Sequence, residues 1–405
     1  MTAAGERVPR GDWDGLIVLA ASTPWGGHGL PDLAVAKSLT RYAPVLYVDP
    51  PISPITARRH PQLAASAHEQ ELRRVDDRVM RLTPRVPPAK ERPGMKTLVD
   101  LLTRRAMRRA VDRLGRPTVR AVVVSSFNPL FGACGEDLRV FYAEDDYVAG
   151  AALMGIAPKR LRRAEARQLA DADLVVAASA VLAERFRARG CEPLLMANGC
   201  DPELGAVVDR VTAADDVELS PPIAIVLGCL NDRLDHQVLT AVAGSGLSLL
   251  LVGPRAPTYP ERMLSALTSR ANVQWVGART PGELPGYLRA AAVGLVPYQL
   301  SAFNRASFPL KTLEYLSSGL PVVATDLPAV RWLETDLVRV VSTPQAFAAA
   351  AVEATRTVAT SEEVRARRAF AALHSWDSRV DRLAAALGLD VVTDTPRLAA
   401  SGSVL

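Results

Sequence analysis

The stretch SFPLKTLEYLSSGLPVVATD, residues 307–326, decides the reading of the chain. Pro309 can open a helix at no cost, because the first helical N–H has no intrahelical partner to lose. Gly319 ends that helix and the apolar run Pro321 to Ala324 follows as a buried strand. The open first-turn amides and the positive end of the helix dipole suit a diphosphate. Lys311 adds a point charge, and Glu314, one turn later, can accept two ribose hydroxyls. Spacing alone fits equally well an ordinary surface helix with a Lys and a Glu at i, i+3.

Helix, glycine and buried strand recur on both sides of this stretch. Short apolar runs at Ile223–Leu227, Leu247–Val252, Val273–Val276, Val293–Pro297, Pro321–Ala324 and Val338–Val341 read as one series of buried strands separated by helical patterns. A second series lies upstream, at Leu16–Ala21, Val45–Val48, Val79–Leu82, Ala121–Ser125, Val140–Tyr142 and Leu174–Ala177. Such alternation predicts doubly wound parallel sheets. The polar run Asp201–Glu218, followed by Pro221 and Pro222, separates the two series. The expected organisation is an N-terminal Rossmann-like domain over 1–205 and a second over 206–374. A last helix, about 375–390, packs back on the first domain, and 391–405 forms a frayed tail. Ligands of such sheets bind at the carboxyl ends of the strands, here in a cleft between the domains.

Bulk composition excludes several classes. With 405 residues, 49% hydrophobic and 22% charged, the chain is neither disordered nor fibrous. No run reaches the 18 or so apolar residues of a transmembrane helix, and the N-terminus does not read as a signal peptide. The four cysteines, Cys134, Cys191, Cys200 and Cys229, show no metal-site spacing and read as buried thiols of a reducing cytoplasm. Charge is unevenly placed: residues 1–200 hold 30 basic and 22 acidic side chains, net +8, and the remainder 18 and 21, net −3.

The residues Pro309, Leu310, Lys311, Thr312, Leu313, Glu314 and Tyr315, then Gly319 and Pro321 to Ala324, resemble the nucleotide-sugar-binding segment of GT-B glycosyltransferases. The likeness is to glycosyltransferase family 4 and its teichuronic-acid and glucuronosyltransferase types, and it extends over Trp25–Asp49, Val140–Ser179, Asn198–Asp201 and most of Ile223–Pro328. It implies an α/β, GT-B fold: two Rossmann-like doubly wound parallel-sheet domains facing each other across a cleft. It also implies that Glu314 holds the donor ribose, and that Ser307, Pro309, Leu310 and Lys311 at the helix start hold the diphosphate. At the opening of the donor domain, Gly228 lets the backbone approach the donor and Arg233 contacts phosphate, a role for which a guanidinium fork is suited. An ion pair with Asp232 or Asp235 is the competing reading of Arg233. Gly253 and Gly277 fall at strand ends that line the base pocket in similar enzymes, or are simple turns. One position departs from the pattern: the second glutamate common in family 4, eight residues before the ribose-binding one, is Ala306 here.

On the N-terminal side, Glu144, Asp145 and Asp146 crowd the end of the strand Val140–Tyr142. Mutual repulsion can raise the pKa of one of them and make it a base. In inverting relatives a carboxylate of this domain deprotonates the acceptor hydroxyl, which points to Asp145 first and Asp146 second; helix capping is the alternative. His28, in the loop with Gly26 and Gly27, is a competing base or phosphate donor. Glu165, Asp171 and Asp173 read as structural. No metal site and no cofactor beyond the nucleotide-sugar substrate are expected.

Lys90 to Arg120 contains ten basic and three acidic residues, with Leu98, Leu101, Leu102, Met107, Val111 and Leu114 as an apolar face. Such a helix suits an anionic membrane surface, or is an ordinary solvated helix. Nucleic acid is not an expected partner, since no aromatic-basic interleaving accompanies the charge. The sequence therefore predicts a cytoplasmic, peripherally membrane-bound enzyme. It would move a hexosyl or uronosyl group from a nucleoside-diphosphate sugar to a glycan or lipid-linked acceptor, without a metal. A small soluble acceptor, or a non-catalytic sugar-nucleotide or glycan-binding protein, are the alternatives.

Overall fold

A computed structural model describes residues 13–26, 31–53, 71–88 and 94–390. The first domain runs β1 (Leu16–Ala20), α1 (Pro31–Leu39), β2 (Val45–Val48), β3 (Leu72–Asp76), β4 (Val79–Leu82), α2 (Met95–Arg113), β5 (Val119–Val124), β6 (Leu138–Ala143), α3 (Pro158–Asp171), β7 (Leu174–Ala177), α4 (Ala180–Arg187) and β8 (Leu194–Leu195). Its eight strands are ordered β3-β4-β2-β1-β5-β6-β7-β8, and every neighbouring pair is parallel except β3 with β4. After α5 (Leu204–Arg210) the second domain runs β9 (Ile223–Leu227), α6 (His236–Ala243), β10 (Ser248–Val252), α7 (Glu261–Thr268), β11 (Val273–Trp275), α8 (Leu284–Ala290), β12 (Val293–Val296), α9 (Ala302–Ala306), α10 (Leu310–Ser318), β13 (Val322–Thr325), α11 (Pro328–Arg331), β14 (Val338–Val341), α12 (Pro344–Ala354) and α13 (Ser361–Leu373), before α14 (Trp376–Ala386) closes the chain. Its sheet is fully parallel, in the order β11-β10-β9-β12-β13-β14.

Both sheets are doubly wound, with the strand order reversing between β1 and β5 and between β9 and β12. The continuous apolar runs become strands buried on both faces, as in β1, β2, β9 and β10, where every residue is buried. Two strands were not foreseen. β3, Leu-Arg-Arg-Val-Asp, is a half-exposed edge strand with little apolar signal, and β8 has only two residues.

The chain passes between domains twice, side by side. Cys200 N–H donates to His374 O at 3.0 Å and Trp376 N–H to Cys200 O at 3.1 Å. A Cβ on Gly199 would meet Trp376 N at 2.6 Å, so only glycine lets the two crossings pack. Beyond the second crossing, Val380, Leu383, Ala384 and Leu387 of the last helix join the core around Ile17, Val35 and Val176. α5 already packs with the second domain, Val208 against the Leu313 cluster. The tail beyond Asp390 lies outside the described residues.

Two expectations need correction. Cys229 is not a buried thiol but is exposed, and Cys134 and Cys191 are half-buried, leaving Cys200 as the buried member. In α2 the packed stripe is Val99, Thr103, Met107, Ala110 and Val111, so Leu98 and Leu101 fall outside it and are 41% and 58% exposed.

Candidate functional site

The ends of β1, β5 and β6 face those of β9, β10 and β12 across a cleft of about 780 Å³. α10 enters this cleft end-on. Its N-cap is Pro309 and its C-cap Gly319 takes φ 94°, the left-handed conformation in which glycine avoids a Cβ penalty. The buried Tyr315 hydroxyl accepts from Leu227 N–H at 2.8 Å, and the ring packs where a Cβ on Gly294 would sit 2.3 Å from it. These contacts fix the helix axis, so Pro309, Leu310 and Lys311 at its start line the cleft. Lys311 Nζ lies 2.6 Å from Glu314 Oε2, both side chains under one-fifth exposed. The lining stops at Lys311, so Glu314 sits one turn behind the cleft wall, engaged by the lysine.

Arg233 is held more firmly than spacing could tell. Its Nε donates to Asn304 Oδ1 at 2.9 Å, and its guanidinium carbon lies 4.9 Å from the ring centroids of both Tyr298 and Phe303. Asn304, fully buried, in turn donates to Arg233 O and Gln299 O. The alternative ion pairs are absent among the described residues: Asp235 caps α6, accepting from Gln237 and Val238 N–H. Gly228 and Gly253 line the cleft with φ 129° and 146°. A Cβ on Gly253 would lie 1.9 Å from Gly228 O, so the β9 and β10 ends approach as only glycine permits. Gly277 accepts from Gly253 N–H at 2.8 Å and supports that turn from outside the cleft lining.

The three acids after β6 diverge. Asp145 lines the cleft with the Ser307 hydroxyl, which donates to Phe303 O at 2.9 Å, beside its carboxylate, and the Arg233 charge acts on it. Burial raises its pKa above the usual carboxylate range, while Arg233 and Ser307 oppose the rise. The predicted base thus meets a predicted phosphate ligand from the other domain. Asp146 is a correction: it is buried, accepts from Ala149 N–H at 2.9 Å and lies 3.4 Å from Arg185 Nε, outside the cleft lining. Arg185 and Arg189 both reach the buried Glu165, a structural role as read from the sequence. Gly26 (φ 85°) is also outside the lining, and Gly27 and His28 lie outside the described residues.

The structure adds residues that sequence reasoning missed. Glu144 lines the cleft, accepting at Oε2 from Ser22 Oγ at 3.0 Å and Tyr147 Oη at 3.2 Å. Ser22 N–H also donates to Ser125 Oγ at 2.8 Å, at the strand-order reversal. Asn198, at the first crossing, donates to Phe308 O at 3.2 Å and so ties the start of the donor helix to the first domain. Neighbouring acids in the sequence gave no sign of which would face the cleft.

Comparison with known proteins bears on the family and the fold. Residues 230–356 match the family described as "Glycosyl transferases group 1". Over 180 residues the chain is 32% identical to the putative teichuronic acid biosynthesis glycosyltransferase TuaH of Bacillus subtilis (strain 168), covering 42% of this chain and 45% of that protein, less than half its length. Among solved structures, the sucrose-phosphate synthase of Thermosynechococcus elongatus superposes with a TM-score of 0.68 at 16% identity, over 92% of this chain and 98% of that one. HepE of Anabaena, solved with UDP and glucose, gives 0.64 at 14% identity over 92% and 99%. The fold is GT-B, and the resemblance read from the sequence is borne out.

Proposed function

We propose that this protein transfers a sugar from a nucleoside diphosphate to an acceptor hydroxyl. The observation that carries the reading is the meeting of Asp145 with Arg233 and Ser307 across the cleft: a carboxylate from one domain faces a rigidly held cation and an open helix N-terminus from the other. The acceptor oxygen attacks the anomeric carbon, the bond to the diphosphate oxygen breaks with its electron pair, and Asp145 takes the acceptor proton. Charge developing on the leaving diphosphate is met by Arg233, Lys311 and the first-turn amides of α10 without call on a metal. Glu314 turns from Lys311 to the ribose when diphosphate occupies the lysine. With HepE solved in the presence of UDP and glucose, a uridine nucleotide is the first donor to try.

The test is calorimetric titration with UDP, GDP and dTDP. A carboxylate holding two ribose hydroxyls contributes about 2–3 kcal/mol, so Glu314→Ala weakens the preferred nucleotide roughly 30- to 150-fold. Unchanged affinity would sink the assignment. The acceptor we assign is lipid-linked, with the protein peripheral on the inner face of the membrane. Leu98 and Leu101 stand exposed on the same helix as the exposed Arg105, Arg109 and Arg113, a surface suited to anionic headgroups. Among the described residues no helix is long and apolar enough to cross a membrane. In liposome flotation, binding should need anionic lipid and fall with Leu101→Asp; a protein that never floats acts on a soluble acceptor.

A further inference from the structure

At the first-domain wall of the cleft, which Ser22, Thr23 and Glu144 help to line, lies an acid cluster that the transfer step does not use. Asp32, in the first turn of α1, is fully buried, and its Oδ2 accepts from Ser22 N–H (2.7 Å), Ser22 Oγ (2.9 Å), Thr23 N–H (3.2 Å) and Thr23 Oγ1 (3.2 Å). Glu144, 7% exposed, spends its Oε2 on Ser22 Oγ and Tyr147 Oη. The other oxygen of each, Asp32 Oδ1 and Glu144 Oε1, is buried and has no donor. The Tyr142 hydroxyl, 1% exposed and acted on by both acids, is likewise without a partner.

Two buried carboxylates in contact cannot both ionise without a cation. Among the described residues none is at hand. The groups that act on Glu144 are Asp32, Asp145 and the Ser22 hydroxyl, and around them stand Tyr47 from β2, Tyr142 from β6 and Tyr147 beyond it, with Asp49 past Tyr47. The Ser22 and Thr23 amides and the Thr23 hydroxyl converge on Asp32 Oδ2, and the one Ser22 hydroxyl proton lies between Asp32 and Glu144, so Glu144 is the acid with fewer donors. Each acid keeps one buried oxygen without a donor, and the two carboxyls interact directly, so a single proton held between them removes the repulsion of two charges.

We propose that Asp32 and Glu144 share a single proton, carried by Glu144, and that this pair is a positioning element that locks the turn between β1 and α1 against the end of β6. Resting on the transferase reading, it also explains why Asp145 rather than its neighbour is left to receive the acceptor proton: Glu144 already holds one. Burial and the Asp32 charge both push the Glu144 carboxyl well above the usual range.

Infrared difference spectroscopy tests the pair without reference to activity. A protonated carboxyl has a carbonyl stretch that carboxylates lack, and at about pH 7.5 ordinary carboxyls are ionised. The wild-type protein should carry such a band, Glu144→Gln should remove it, and Asp32→Asn should shift its titration to lower pH by withdrawing the neighbouring charge. A wild-type spectrum with no band that Glu144→Gln removes would overturn the proposal. Stability gives a second reading. A raised pKa favours the folded state fully below the unfolded value of about 4.5 and loses that advantage as pH rises toward the folded value. The folding constant of wild type relative to Glu144→Gln should therefore fall by up to tenfold per pH unit across this window, and a flat ratio refutes the pair. If Glu144→Gln alone abolishes the acid limb of the rate profile, Glu144 is the base and the positioning role fails. If no sugar is transferred by any form, the transferase reading fails while the spectroscopic result stands.

Discussion

Replacing Asp145 with Asn separates the two jobs the cleft performs. The carboxylate lies beside the Ser307 hydroxyl and under the influence of Arg233, whose guanidinium is pinned by Asn304 and stacked between Tyr298 and Phe303. An asparagine side chain keeps the shape, but it removes one negative charge and the carboxylate that Arg233 faces at this strand end. Loss of a general base costs about a hundred- to ten-thousand-fold in turnover. Nucleotide affinity should move the other way. Opposite charges a few ångströms apart at an effective dielectric of about 20 attract by up to about 4 kcal/mol, and a diphosphate arriving at Arg233 must compete with that attraction and bear repulsion from Asp145 itself. Arg233 cannot relax far, so only part of this is recovered: about 1 kcal/mol, or some fivefold tighter diphosphate binding.

The assay pairs calorimetric titration of the preferred nucleoside diphosphate with a measure of its release during turnover, both run across pH. Burial holds the Asp145 pKa above the ordinary carboxylate value. A base must be ionised to act, so wild-type kcat/KM should rise with pH through that raised value, and the limb should vanish in Asp145→Asn. Turnover within tenfold of wild type, or diphosphate binding weakened by the substitution, would refute the placement of Asp145 between acceptor and leaving group.

Gly253→Ala should cost several kcal/mol and unfold the donor domain at markedly lower urea, because its Cβ would sit 1.9 Å from Gly228 O at φ 146°. Gly277→Ala, with nothing within 4 Å of the new carbon and φ 75°, should cost only the backbone strain of about 1 kcal/mol. Asp49 accepts at Oδ2 from Arg81 Nε (2.7 Å) and Thr83 Oγ1 (2.6 Å) and at Oδ1 from Trp25 N–H (2.7 Å), with both ion-pair partners almost fully buried. Asp49→Ala leaves the arginine charge in the core of the first domain, so urea unfolding should register a loss of about 3–5 kcal/mol; a loss under 1 kcal/mol would mean that the arginine is solvated elsewhere.

What was legible in the sequence follows the range over which each signal acts. The run Ile-Ala-Ile-Val-Leu announces a strand buried on both faces within five residues, and β2, β4, β7, β9 and β14 fall on the residues read for them. β3 escaped because a half-exposed edge strand can be written with two arginines and an aspartate. The helix start at Pro309 and its stop at Gly319 are local chemistry, and so was their reading. Side-chain direction after β6 is another matter. Glu144, Asp145 and Asp146 are three consecutive acids, yet one meets Ser22, one meets Arg233 and one meets Arg185. Each fate is set by a partner 39 to 122 residues away that no spacing rule reaches.

That divergence accounts for how one strand end can carry chemistry and structure together. Asp146 is tied off by an arginine and a backbone amide, which fixes the turn. Glu144 is tied to the β1 end through Ser22 and to its own chain through Tyr147, which fixes the strand below the turn. With a residue anchored on either side, Asp145 has little freedom left, and its carboxylate can be held desolvated without collapsing onto a closer cation. A base in a cleft needs this arrangement, since a carboxylate free to rotate would find water or an arginine and lose the raised pKa that lets it compete for a proton. The sharper consequence is that removing an anchor should damage turnover through Asp145. Asp146→Asn, which weakens the hold of Arg185 while leaving the cleft lining intact, should lower kcat with little effect on nucleotide affinity and should move the acid limb of the rate profile. If it changes stability alone and leaves that limb in place, the flanking acids do not position the base.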